Sequence, residues 1–282
     1  MSKMIATIRR VNSPNMDIHD NDIETNYDAL FDAENYLYFN QDNFLTDEKT
    51  KVEIQFIRER LGVDKNTSLL DLACGHGRHA NVLAKESRRI LGLDTNAKFL
   101  ELARKQSDAE GITNVSYINQ DIRKLDYITE FERAMLLNTV FGLFCDEENS
   151  ELLRRINKVL KPSGQFCFDV INRDMILVDF QPDYILEKEG NFLLDRCSFD
   201  GRTGRMINRR VYVKDGHRTN AHFSLRLYNY TEIAALLTAA NFKIIEAFAD
   251  WHANPFGCKS KKIVIIARKT GDVQGPNQGC AK

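Results

Sequence analysis

Three aspartates and two glycines carry the chemistry that is most legible in this chain. Asp71 lies within the apolar run "SLLDLA", Asp94 closes "RRILGLD" and Asp121 closes "VSYINQD". An ionised carboxylate only accepts hydrogen bonds. Asp94 therefore suits the two hydroxyls of a ribose, Asp121 an adenine amino group, and Asp71, through the adjoining turn, an ammonium. That turn, "ACGHGRHA", contains Gly75 and Gly77, where a missing Cβ lets backbone approach a ligand. The plainer reading is that these glycines only make a strand-to-helix turn. Gly75-x-Gly77-x-x-Ala80 also fits a dinucleotide fingerprint with Asp94 as its ribose acid, so a nicotinamide cofactor and another adenosine ligand both remain open from the turn alone. No group of several basic residues waits nearby for a pyrophosphate.

Positioning these groups requires strands that end together. "SLLDLA", "RRILGLD", "VSYINQD", "RAMLLN" and "GQFCFDVI" suit buried strands and alternate with helical patterns such as Leu152, Leu153, Ile156, Val159 and Leu160, which stops before Pro162 and Gly164. Such alternation predicts a parallel sheet covered on both faces, with the three carboxylates at successive carboxyl ends, where open α/β sheets bind ligands. After Ile171 the rhythm changes. "VYVKDGHRTNAHFSLRLY" places Asp215-Gly216 for a tight hairpin turn. The helix "TEIAALLTAANF", with Thr231 as its expected N-cap, and the strands "FKIIEAFADW" and "KKIVIIARK" then close the chain.

The chain has 282 residues, 43% of them hydrophobic, enough for a sizeable core. Thirty-nine lysines and arginines against 40 aspartates and glutamates give no whole-chain pull toward nucleic acid or an anionic membrane. The start of the chain has no apolar export segment, no stretch suits a membrane span, and the six scattered cysteines form no CxxC pair, so a cytoplasmic protein with reduced thiols and no metal is expected.

In combination, "LLDLACGHGRHA", "GLDTNAKFLELA", "INQDIRKL", "MLLNTVFGLF" and "INKVLKPSGQFCFDV" resemble the class I S-adenosylmethionine-dependent methyltransferases, in order and in spacing. The resemblance covers roughly Ser68 to Ile171 plus the last helix and two strands. It implies an α/β, Rossmann-like seven-stranded sheet, mostly parallel with an antiparallel last strand and helices on both faces, to which this chain adds a small antiparallel β insertion. It further implies that Asp71, Ala73, Gly75 and Gly77 border the methionine part of S-adenosyl-L-methionine. Asp94, with the adjoining Thr95, takes the ribose, Asp121 and Ile122 take adenine, and Asn138 lies near the sulfonium. Ala73 stands where many members have glycine. The expected organisation is an N-terminal lid over 1–50, a core over 51–171 and 229–269, a β-rich insertion over 172–228 acting as a substrate lid, and a disordered tail over 270–282.

Methyl transfer from a sulfonium mainly requires alignment and exclusion of water, so no fixed catalytic motif is expected. Asn-Pro-Pro-Tyr and Asp-Pro-Pro-Tyr, which would mark amino-group methylation of DNA or glutamine, are missing after the fourth strand. Phe141 and Phe144 suit an apolar wall around a methyl group or a place in the core; Tyr36 and Tyr38 suit acceptor contacts or packing. His252, Tyr38 and His222 are the candidate bases. Arg209 and Arg210, within a basic cluster from Arg202 to Arg218, suit either a protected sheet edge or recruitment of an anionic acceptor. A small-molecule acceptor, with no nucleic acid and no membrane as partner, is the leading expectation. A nicotinamide-dependent oxidoreductase and a non-catalytic methyltransferase-like subunit are the alternatives, and the oligomeric state is left open.

Overall fold

The structure, a computed structural model, describes residues 25–273; the expectations for the first 24 residues and for most of the tail fall outside them. Eleven strands and eight α-helices follow in order among the described residues: α1 (Tyr27–Leu30), α2 (Ala33–Asn40), α3 (Asp47–Phe56), β1 (Ser68–Leu72), α4 (Ala80–Ala84), β2 (Arg89–Asp94), α5 (Ala97–Ala109), β3 (Val115–Asn119), β4 (Phe131–Leu136), α6 (Asp146–Val159), β5 (Leu160–Ile171), α7 (Arg173–Ile176), β6 (Asp183–Lys188), β7 (Asn191–Asp200), β8 (Arg205–Lys214), β9 (His217–Arg226), α8 (Tyr230–Ala239), β10 (Phe242–Phe248) and β11 (Lys262–Lys269). None of the described helices is long and apolar enough to cross a membrane.

Seven strands form one sheet in the order β10-β11-β5-β4-β1-β2-β3. β1 pairs in parallel with β2 and β4, while β11 runs antiparallel to both β5 and β10, so β11 alone is reversed. β1 is buried at every position, as an apolar run covered on both faces should be. α6 buries Leu152, Leu153, Ile156 and Val159, the face its spacing predicts. α8 begins one residue after Asn229, whose side chain accepts from Glu232 N while Glu232 reaches back to Asn229 N. This capping box takes the place of the expected Thr231 cap, because Asn229 stands three residues before a glutamate.

The chain divides into two compact units, one holding the described residues 25–39 with 181–224, the other residues 40–180 with 225–273. In the first, β6-β7-β8-β9 form a four-stranded sheet. Asp215 (φ 50°) and Gly216 (φ 76°) make the expected tight turn, and Glu189 (φ 52°) and Gly190 (φ 77°) make its equivalent between β6 and β7. Fully buried Tyr212 stacks on Phe39, with ring centroids 5.7 Å apart, and its hydroxyl donates to the Leu30 carbonyl. The N-terminal segment and the insertion thus share one small core. Residues 225–228 lie with the larger unit instead: Tyr228 is buried, bridges to Asn172 and packs on Phe141.

Candidate functional site

Strand order reverses between β1 and β4, and the crevice at such a switch point, outside the carboxyl ends, is where open α/β sheets bind ligands. β1 ends at Leu72, and the chain turns into α4 through left-handed backbone at Ala73 (φ 53°), Gly75 (φ 56°) and Gly77 (φ 77°). A non-glycine residue there carries about 1–2 kcal/mol of strain, the physical reason glycine suits the position of Ala73. Cys74 N donates to the Leu93 carbonyl, tying the turn to β2. Asp94 completes the tie: Oδ2 accepts from Gly75 N and Oδ1 from Asn96 N, each at 2.8 Å. Burial pushes the Asp94 carboxyl up, against the backbone N–H groups that favour its charge. Thr95 beside it is exposed, and its carbonyl accepts from Asn119.

The two glycines of the turn differ. A Cβ on Gly75 would meet no protein atom within 4 Å, so that side of the turn is open. A Cβ on Gly77 would lie 2.5 Å from the Tyr117 hydroxyl and 2.8 Å from Ala103 Cβ. Gly77 is glycine because β3 and α5 press against it, a packing requirement that by itself accounts for the residue type.

Asp71 is buried, and its Oδ2 has no hydrogen-bond partner among the described residues. Burial, followed by the nearby negative charge of Asp94, pushes its carboxyl up to about 8, with Arg78 opposing. Asp121 follows β3 and is engaged from its own loop: Arg123 N and Nε donate to Oδ1, and Nε and Nη2 donate to Oδ2. Burial works against the Asp121 charge, but the Arg123 hydrogen bonds outweigh it and hold the pKa below the usual carboxylate value. The Arg123 guanidinium also lies over the Phe144 ring and pairs with Glu148. Ile122 is buried.

A buried network that sequence reasoning missed lies beside this turn. Arg78 donates to Glu53 and Thr50 of α3 and, through Nη2, to Asn138 Oδ1 at 3.1 Å. His79 Nε2 is 2.8 Å from the same Glu53 oxygen. Burial opposes the Glu53 charge, yet His79 and Arg78 bring its pKa down; burial, then Arg78, lowers that of His79. A second carboxylate, Asp169 of β5, is fully buried and accepts from Asn138 N (2.7 Å), Thr139 Oγ1 (3.1 Å) and Lys262 Nζ (2.6 Å). Asn138 (φ 64°) and Thr139 (φ 61°) are consecutive left-handed residues just past β4. The available signals were single charges in apolar settings, Glu53 ahead of Ile54, Phe56 and Ile57 and Asp169 inside "FCFDVI".

Asp71, Ala73, Gly75, Asp94, Thr95, Ile122 and Asn138 thus share the carboxyl edge of one sheet. Other candidates take different roles. Phe141 is buried between Phe168 and Tyr228, and Phe144 is buried beneath Arg123, so both are core residues in place of an open methyl-facing wall. In the smaller unit the Tyr38 hydroxyl donates to the Lys188 carbonyl and accepts from Asn191 Nδ2, which occupies it structurally. Tyr36 packs on Phe31. The His222 carbonyl accepts from Asn26 N on half-buried β9. Arg210 forms a fork-to-fork pair with buried Asp195, both bonds 2.6 Å, which uses the guanidinium expected to recruit an anion. Arg209 is exposed on β8, opposite Arg196. His252 is exposed in the turn after β10, its N–H donating to Asp250.

Residues 69–164 match the family model described as a methyltransferase domain. A protein of Geobacillus sp. (strain WCH70) is 22% identical over 208 residues, 71% of this chain and 84% of its own length. The ubiquinone biosynthesis O-methyltransferase of Serratia proteamaculans (strain 568) is 28% identical over 123 residues, 44% of this chain and half of the relative's length. Among solved structures, an S-adenosylmethionine-dependent methyltransferase from Clostridium acetobutylicum ATCC 824 is similar with a TM-score of 0.74 at 18% identity, over 84% of this chain and 99% of that one. Together with the seven-stranded order and the turn at its switch point, these matches show a methyltransferase domain over residues 69–164 in a chain with the fold of S-adenosylmethionine-dependent methyltransferases.

Proposed function

We propose that the chain transfers the methyl group of S-adenosyl-L-methionine to a small-molecule acceptor, with the cofactor in the crevice at the β1–β4 switch point. The observation that carries this reading is the pairing of an open Gly75 in the turn with a buried, partnerless Asp71 oxygen on the strand that leads into it. A buried acceptor without a partner costs about 1–3 kcal/mol and is relieved by a ligand that donates to it. The cofactor fits these residues: it carries an ammonium for the Asp71 side of the turn, a ribose for Asp94 and Thr95, and an adenine for the segment from Asp121 to Ile122. When bound it supplies an activated methyl on a positively charged sulfur. The chain's own residues then bind and orient, Asp94 by bracing the turn and Asn138 by lying past β4 at the same edge.

An acceptor of small size is supported by the Serratia relative, whose name specifies an O-methyltransferase of ubiquinone biosynthesis. Arg210 and Lys214, which would have recruited an anion, pair with Asp195 and Glu34, so these arginine and lysine side chains impose no charge on the acceptor. The five cysteines described as unpaired thiols support a reducing compartment such as the cytoplasm. The test is calorimetry of the full chain with S-adenosyl-L-methionine, S-adenosylhomocysteine and NADH, followed by isotopically labelled S-adenosyl-L-methionine with a metabolite extract. Binding of the first two and a labelled small product are expected; binding of NADH alone would sink the proposal.

A further inference from the structure

Asn138 is gripped from two sides by groups that do not otherwise meet. Asp169 accepts from its backbone N–H, and Arg78 donates to its side chain. A guanidinium has no acceptor, so the atom it meets must be the amide oxygen, and the orientation of the amide is forced. Arg78 is itself immobilised by Glu53 and Thr50, and Glu53 by His79, all of them buried or half-buried. Asn138 is exposed, and its amide nitrogen donates to nothing among the described residues. The group of this amide left wholly unengaged for a ligand at the end of β4 is its N–H donor.

We propose that Arg78 and Glu53 are positioning residues that aim the Asn138 amide nitrogen outward, and that the methyl acceptor it meets is an oxygen reacting as its anion, a carboxylate or phenolate. The inference rests on the methyl-transfer reading and specifies its acceptor atom. An oxyanion has several lone pairs. One can accept from Asn138 while another attacks the methyl carbon. The new C–O bond forms as the C–S bond breaks, the electron pair goes to sulfur, the two opposite charges cancel, and no proton moves. No general base is then required. An attacking amine has its one lone pair committed to the methyl and so has none left to accept from the Asn138 amide.

The test uses the full chain, methyl-labelled S-adenosyl-L-methionine and a metabolite extract, with the labelled carbon assigned by NMR as O-methyl, N-methyl or C-methyl. An O-methyl product is expected. Asn138→Asp, which keeps the shape and tolerates left-handed backbone but presents an oxygen outward, should cut its formation by about a hundredfold while calorimetric affinity for S-adenosylhomocysteine stays within about fivefold. Arg78→Lys should lower kcat by about tenfold with little change in the cofactor KM, and adding it to Asn138→Ala should cost nothing further, since a residue acting only through Asn138 has nothing left to position. An N-methyl or C-methyl product, no O-methyl product, or additive losses in the double variant overturns the inference with the methyl-transfer reading intact. Failure of the unaltered protein to bind S-adenosylhomocysteine removes both.

Discussion

Asp71 and Asp195 are both buried carboxylates on β-strands, and the chain treats them oppositely. Asp195 in the four-stranded sheet receives two hydrogen bonds from Arg210, whose guanidinium also lies 5.6 Å from the Phe223 ring centroid. Asp71 receives nothing on Oδ2 and has Asp94 for a neighbour, which burial and like charge answer by raising its pKa to about 8. A charge that the fold satisfies internally is architecture. One left unsatisfied beside an open turn marks where the fold expects something else to arrive.

The largest effect that could break this contrast is at Arg210. Arg210→Ala leaves Asp195 buried without its partner and should cost about 3–5 kcal/mol in urea denaturation, whereas Arg210→Met with Asp195→Leu should recover most of it. A loss below 1 kcal/mol in the single variant would mean that the pair is not structural. Next in size, Asp94→Ala should weaken binding of S-adenosyl-L-methionine by about 1.5–3 kcal/mol in calorimetry, the range for charge-assisted hydrogen bonds; unchanged affinity would detach Asp94 from the ribose.

The contrast sharpens with pH. A carboxyl whose folded pKa is raised binds its proton more tightly in the folded state, so its stabilising contribution is present below the usual value of 3.8 and is lost as pH rises toward about 8. Stability should fall across that window by up to about 1.4 kcal/mol per pH unit, and Asp71→Asn should flatten the slope in denaturation series at stepped pH. Affinity for a cationic ligand should rise over the same window, because ionised Asp71 is the form that attracts it. A slope that survives Asp71→Asn assigns the titration elsewhere.

Smallest are the glycines. Gly75→Ala should cost about 1 kcal/mol of stability from left-handed backbone alone and yet impair cofactor binding. Gly77→Ala should destabilise more, by colliding with Tyr117 and Ala103. Equal thermal shifts in the two variants would erase the distinction between an open and a packed glycine.

Much of the larger unit was legible because its signals are local. The run "SLLDLA", the turn after it and the closing strand "KKIVIIARK" each announce themselves within ten residues, and the carboxylates at strand ends follow from where the strands stop. The insertion was legible as a hairpin at Asp215-Gly216, but its bounds were not. Tyr228 reads as part of the last β run and is buried in the larger unit, while Phe39, far upstream, covers the insertion's Tyr212.

Strand period, turn chemistry and the positions of Asp71, Gly75 and Asp94 were determined by the sequence itself, since each depends on neighbours a few residues away. Only tertiary structure decided which glycine faces outward, which arginine is already paired and how Asn138 is held. Glu53, Arg78, Asn138 and Asp169 lie far apart along the chain and meet only because α3 packs beside the turn and β5 beside β4. Hydrogen-bond complementarity between such residues leaves no periodic trace in a linear pattern, and it exists only once the strands are in register.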